Sequence, residues 1–70
     1  MDGLDLTLRQ REALGLAARH GSVRRADLIS RFGISGESAR RDLAALVRAG
    51  LLRRHRLRGV LRYVLADRPA

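Results

Sequence analysis

Three glycines, at positions 21, 33 and 50, each close a stretch whose apolar residues recur with helical spacing, and after the third the spacing changes to two. A chain cut this way can build short helices and then a hairpin, and little else. The remaining options narrow with size: 70 residues make one small domain. That is too short for a dinucleotide-binding α/β unit, a barrel or an enzyme fold with a deep cleft. There is no cysteine, which excludes a disulfide framework and a cysteine zinc site. One Tyr, one Phe and no Trp argue against a platform for stacking single-stranded bases. No apolar run is long enough to span a bilayer, and Asp2 and Asp5 stand where a secretory leader would be basic. A cytoplasmic protein is therefore expected.

Residues 1–6 read as a lead-in. Thr7 and Gln10 have the spacing of a capping box and predict a first helix over 8–19, with Ala13, Leu14, Leu16 and Ala17 on one face and Gly21 closing it. Ser22–Val23 reads as a brief extended piece. A second helix over 25–32 carries Leu28, Ile29 and Phe32. Its start, at Arg24 or Arg25, lacks a capping side chain, which leaves either an indifferent cap or a guanidinium aimed at a phosphate. Ser35 caps a third helix over 36–49. There Ala39, Leu43, Leu46 and Val47 form the inner stripe, and Glu37, Ser38, Arg41, Ala45 and Arg48 face outward. Strands over 51–55 and 60–65 then read as a hairpin within residues 51–65, joined through 55–59 with Gly59 in the turn. Leu61, Tyr63 and Leu65 are expected to face the core, with Arg62 outside. Residues 66–70 read as a flexible tail.

All fifteen cations are arginine, and they are unevenly placed. Residues 43–65 contain six arginines and no acid, whereas residues 1–23 balance to zero. A basic patch in one third of a small fold is the footprint of a polyanion partner; the plainer alternative is a solvated surface. Phe32-Gly33-Ile34-Ser35 between two short helices is a helix-turn-helix arrangement, and the hairpin after Gly50 makes it winged. The expected class is mainly α with a small β-hairpin: three helices plus a two- or three-stranded wing sheet, over residues 7–65.

Leu28-Ile29-Ser30-Arg31-Phe32-Gly33-Ile34-Ser35, Ser38-Ala39-Arg40-Arg41-Asp42-Leu43 and Ala49-Gly50-Leu51-Leu52-Arg53-Arg54 together resemble the DNA-binding domain of DeoR-type winged-helix repressors, over about residues 8–56. In that family the helix with the Arg-Arg-Asp-Leu run reads the major groove, so the resemblance implies Ser35, Ser38, Arg40 and Arg41 as DNA contacts. The chain departs from the family pattern at Ser38, where Thr is usual, at Ala39, where a β-branched residue is usual, and in having a single glycine, Gly59, after the wing. The resemblance does not include the family's sugar-phosphate-sensing domain, so no small-molecule effector is carried over. A stand-alone regulator and a domain recruited to another task both stay open.

Of the outward residues, Arg41 is placed for a guanine edge, with a phosphate contact as its alternative. Arg40 on the flank fits a phosphate or an intramolecular pair. Asp42 is expected to pair with an arginine of the first or second helix. Glu37 fits either a cytosine amino group or the helix dipole. Arg48 extends the outward face, Arg24 and Arg25 flank it, and Arg54, Arg56 and Arg58 of the wing are expected on backbone or minor groove. His20 and His55 have no catalytic or metal partners at useful spacing, so neither an enzyme nor a cofactor is expected. The leading function is sequence-specific binding of double-stranded DNA by a small, nucleoid-associated bacterial transcriptional regulator. The alternative is a winged-helix protein-interaction or accessory module of a larger machine. Leu4, Leu6 and Leu8 either cover the protomer's own core or pair it with a second copy as a homodimer.

Overall fold

The computed structural model describes residues 6–66. Three helices, α1 (Leu8–His20), α2 (Arg25–Phe32) and α3 (Gly36–Arg48), precede two antiparallel strands, β1 (Leu52–Leu57) and β2 (Val60–Leu65).

Each helix start is fixed by a hydrogen bond between a side chain and the backbone three residues away. At α1 the Gln10 N–H donates to Thr7 Oγ1 and the Thr7 N–H donates to Gln10 Oε1, both at 3.1 Å. The helix runs one residue further than its periodicity suggests. Gly21, at φ 88°, turns left-handed and donates to the Ala17 carbonyl, so His20 closes the last turn. The start of α2 is better capped than its sequence implies. Asp27 Oδ2 accepts the Arg24 N–H at 2.7 Å, a cap supplied from inside the helix rather than by the residue ahead of it. At α3 Ser35 Oγ accepts the Ser38 N–H at 3.1 Å. This helix ends at Arg48, one residue short of expectation, because Ala49 takes the cap position and Gly50 adopts φ 80°.

The hairpin corrects the expected wing most. Strand β1 continues to Leu57, and Leu57 pairs with Val60, so only Arg58 and Gly59 form the turn. Both have positive φ, 53° and 80°, the requirement of a two-residue type I′ turn. Arg56 is accordingly a strand residue and not part of a five-residue loop. Val23 and Tyr63 exchange both backbone hydrogen bonds at 2.8 Å. The two-stranded sheet thereby gains a one-residue third strand lying between α1 and α2 in the chain.

The core is a single cluster drawn from every element. Ala13, Leu16 and Ala17 of α1, Leu28 of α2, Ala39, Leu43 and Leu46 of α3, Leu52 of β1 and Tyr63 of β2 form it together with Val23. Ile29, Phe32, Ile34 and Val47 pack on its margin. Asp42 is buried among these residues at 6% exposure. A buried carboxylate needs a partner, and Arg9 supplies it: its Nε donates to Oδ2 at 2.8 Å, tying α1 to α3 as the sequence suggested.

Two expectations about β2 fail. Leu65 is 43% exposed, although its cross-strand partner Leu52 is in the core. Arg62 is half-buried rather than outside. Its Nη1 lies 3.5 Å from Ser22 Oγ, and its buried Nε meets no acceptor. Leu6 packs against the core of its own chain while Leu8 is 83% exposed. Leu4 lies outside the described residues. So does the tail from position 67; Ala66 itself donates to the Leu51 carbonyl at 3.0 Å.

Candidate nucleic-acid interface

With Ala39, Leu43 and Leu46 buried, α3 must turn its opposite face to solvent, and the residues there are the ones its periodicity placed there. The Arg41 side chain is 74% exposed. Arg48 is exposed about two turns beyond it. Ser35 and Ser38 are coupled to each other, the Ser35 hydroxyl donating to Ser38 Oγ at 3.2 Å while it caps the helix. Ser35 therefore serves the helix first.

Glu37 is the centre of the N-terminal turn. Its Oε1 accepts from Arg40 Nε at 3.1 Å and its Oε2 from Arg40 Nη2 at 2.7 Å; Oε2 also accepts from Arg41 Nε at 3.2 Å. Hydrogen bonding from Arg40 is the chief reason its carboxyl falls from the ordinary 4.5 to about 2, with the charges of Arg40 and Arg41 adding to it. The same pairing raises the Arg40 guanidinium above its usual value. Taken one at a time, these residues give no hint of the pairing. Their spacing of three and four residues is the signal that they meet on one helix face.

The tertiary fold brings a second group together. A cleft of about 570 Å³ between α2, α3 and the hairpin is ringed by Arg24, Arg25, Arg40 and Arg54, with Leu61 and Tyr63 among its apolar lining. These arginines come from three different elements. Arg25 and Arg54 have no carboxylate partner among the described residues, and Arg24 has only Asp27 at 3.9 Å. Further out, Arg56 Nη1 donates to the Gly59 carbonyl across the turn at 3.3 Å, and Arg58 stands at the hairpin tip. Among the described residues no group of three or more His, Asp or Glu could hold a metal ion, and no helix is long and apolar enough to cross a membrane.

Three helices with a capped turn between the second and third, followed by an arginine-bearing hairpin, define a winged helix-turn-helix, a class of DNA-binding domain. The profile of the DeoR-like helix-turn-helix domain matches residues 9–62, and the chain belongs to that family. Two solved structures share its fold. The structure of RV1404 from Mycobacterium tuberculosis superposes with a TM-score of 0.76 at 26% identity, covering 90% of this chain and 45% of that one. A point mutant of ZitR from Lactococcus lactis does so with a TM-score of 0.79 at 21% identity, over 96% of this chain and 47% of that one. The chain thus spans just under half the length of either. No curated protein matches it.

Proposed function

We propose that this domain binds double-stranded DNA sequence-specifically as part of a transcriptional regulator, with α3 in the major groove and the hairpin arginines on the adjacent backbone or minor groove. One observation carries the reading. The outward face of α3, with Arg41 at its centre, lies beside a cleft in which α2, α3 and the hairpin converge four arginines. An α-helix fits a major groove, and guanidinium groups at its margin suit the phosphates on either side. In this reading Arg41 and Glu37 face base edges, together with Ser38. Arg24, Arg25 and Arg54 follow one backbone, Arg40 stands beside it in its pair with Glu37, and Arg48, Arg56 and Arg58 extend the footprint. Ser35 contributes by fixing the start of the helix.

Selection from a random duplex pool tests the specific part, and titration at several salt concentrations tests the electrostatic part. With roughly four to six phosphates neutralised per protomer, log K should fall against log salt with a slope of about −4 to −5. A flat salt response removes the reading. Leu57 and Val60 favour the protein-docking alternative, since they pair across the strands and are 49% and 41% exposed. That alternative gains if no duplex binds even at low salt. Pairing with a second copy draws on the exposed Leu8, and would space half-sites about 10 bp apart. Sedimentation with and without DNA tests it, and a strict monomer in both removes it.

A further inference from the structure

We infer that Glu37 is a positioning and specificity-determining residue: it holds Arg41 with its terminal nitrogens outward for a base edge, and it occupies Arg40 and Arg41 against indiscriminate pairing with phosphate. The inference rests on the proposed reading of DNA by α3.

The argument begins with which N–H groups are spent. A guanidinium offers five N–H donors, in a side-on edge built from Nε and one Nη and an end-on edge built from both Nη groups. Arg40 gives its whole side-on edge to Glu37, through Nε at 3.1 Å and Nη2 at 2.7 Å. Arg41 gives only Nε, at 3.2 Å. Its end-on edge remains free, and that edge has the two parallel donors that fit guanine O6 and N7. Glu37 therefore makes the two adjacent arginines unequal. One is fixed through both donors of its side-on edge, while the other is held at its inner nitrogen alone with its outer pair presented. Anchoring Nε also removes rotamers that a free arginine must give up on binding.

Charge points the same way. One carboxylate lies against two guanidinium groups, so the trio carries one net positive charge in place of two. A phosphate, available at every step of any duplex, is an anion that the Glu37 carboxylate repels, as a neutral guanine edge is not, and on a side-on edge it also competes for the same donors. A guanine edge taking the Nη pair of Arg41 leaves the Glu37 bond standing. The carboxylate thus penalises sequence-independent contacts more than the specific one, which is how a repulsive element creates selectivity. With its carboxyl near 2, Glu37 stays charged at any physiological pH.

The test compares wild type, Glu37→Gln, Glu37→Asp and Arg41→Ala on the best duplex from a random-pool selection and on an unselected duplex, across a salt series. Thermal unfolding checks that each variant folds. Glu37→Gln should bind unselected duplex about five- to tenfold more tightly at 0.1 M salt, with a slope steeper by roughly one. Its preference for the selected site should shrink. Repeating the selection with Glu37→Gln should blur the same base position that Arg41→Ala erases. Glu37→Asp keeps the charge but shortens the reach, so it should blur that position without steepening the slope. A wild type that selects a site, together with a folded Glu37→Gln whose slope, unselected affinity and base preference are all unchanged, overturns the role of Glu37 while leaving the DNA reading intact. A wild type that binds no duplex overturns both.

Discussion

Helix α3 and the β1–β2 hairpin both present arginine to solvent, but they hold it differently. On α3 the inner face is locked into the core by Ala39, Leu43 and Leu46, and two of the outer arginines are tied to Glu37. The backbone cannot shift without opening the core, and the side chains start from few orientations. On the hairpin, β1 is buried only at Leu52, and the Arg56 guanidinium donates to a backbone carbonyl of the turn rather than to a carboxylate. A guanidinium on a packed, pre-paired helix can present one geometry and so distinguish one base from another. The same group on a ribbon open to water mainly contributes charge.

The largest expected effect breaks the packing half of this contrast. Leu43 is fully buried, and Leu43→Ala should cost about 2–5 kcal/mol in denaturant unfolding. The half-exposed Leu57→Ala should stay within roughly 0.5 kcal/mol. Equal costs would mean that the hairpin is as much part of the core as α3. Next come the arginines. Arg41→Ala should lose about 1–3 kcal/mol on a selected site and much less on unselected duplex. The double change Arg56→Ala/Arg58→Ala should weaken both duplexes by similar factors and shrink the salt slope by roughly one per lost phosphate contact. Uniform weakening by Arg41→Ala would erase the distinction.

A smaller effect separates the two roles of Arg58. It sits at φ 53° ahead of Gly59, a conformation that asparagine tolerates far better. Arg58→Asn should raise stability by roughly 0.5–1 kcal/mol while lowering affinity for any duplex, as calorimetry and binding on the same samples can check. The smallest effect concerns pH. The Glu37 carboxyl is depressed from 4.5 to about 2, so its contribution to α3 is complete above 4.5 and disappears as pH falls from there toward 2. Thermal midpoints of wild type and Glu37→Gln should keep a constant difference at neutral pH and converge across that acid window. A difference that changes around neutrality would show that Glu37 lacks its two arginine partners.

Much of this is legible in the chain because it is local. Thr7 with Gln10, Ser35 ahead of α3, and the glycines at 21, 33 and 50 specify helix ends through hydrogen bonds within a few residues. The inner stripe of α3 follows from its period alone. Asp42 announces a partner because a carboxylate on the margin of an apolar stripe needs one. The wing is less legible. Alternation of apolar and polar residues weakens in a strand as arginine-rich as β1, so the pattern ends the strand too early and makes the turn too long. The Glu37 pairing is equally local, but it emerges only when Glu37, Arg40 and Arg41 are read as one helix face.

The three helices, the presence of a hairpin after them and the arginine-rich face of α3 follow from the order of residues alone, because each depends on backbone preferences and side-chain spacing within one element. What meets across elements is settled only by packing. Packing pairs Val23 with Tyr63, brings the Arg62 guanidinium beside Ser22, and gathers Arg24, Arg25, Arg40 and Arg54 around one cleft. No local period encodes those meetings. They follow from how three helices and a ribbon must stack to bury one small core, and that stacking brings distant arginines together despite their mutual repulsion.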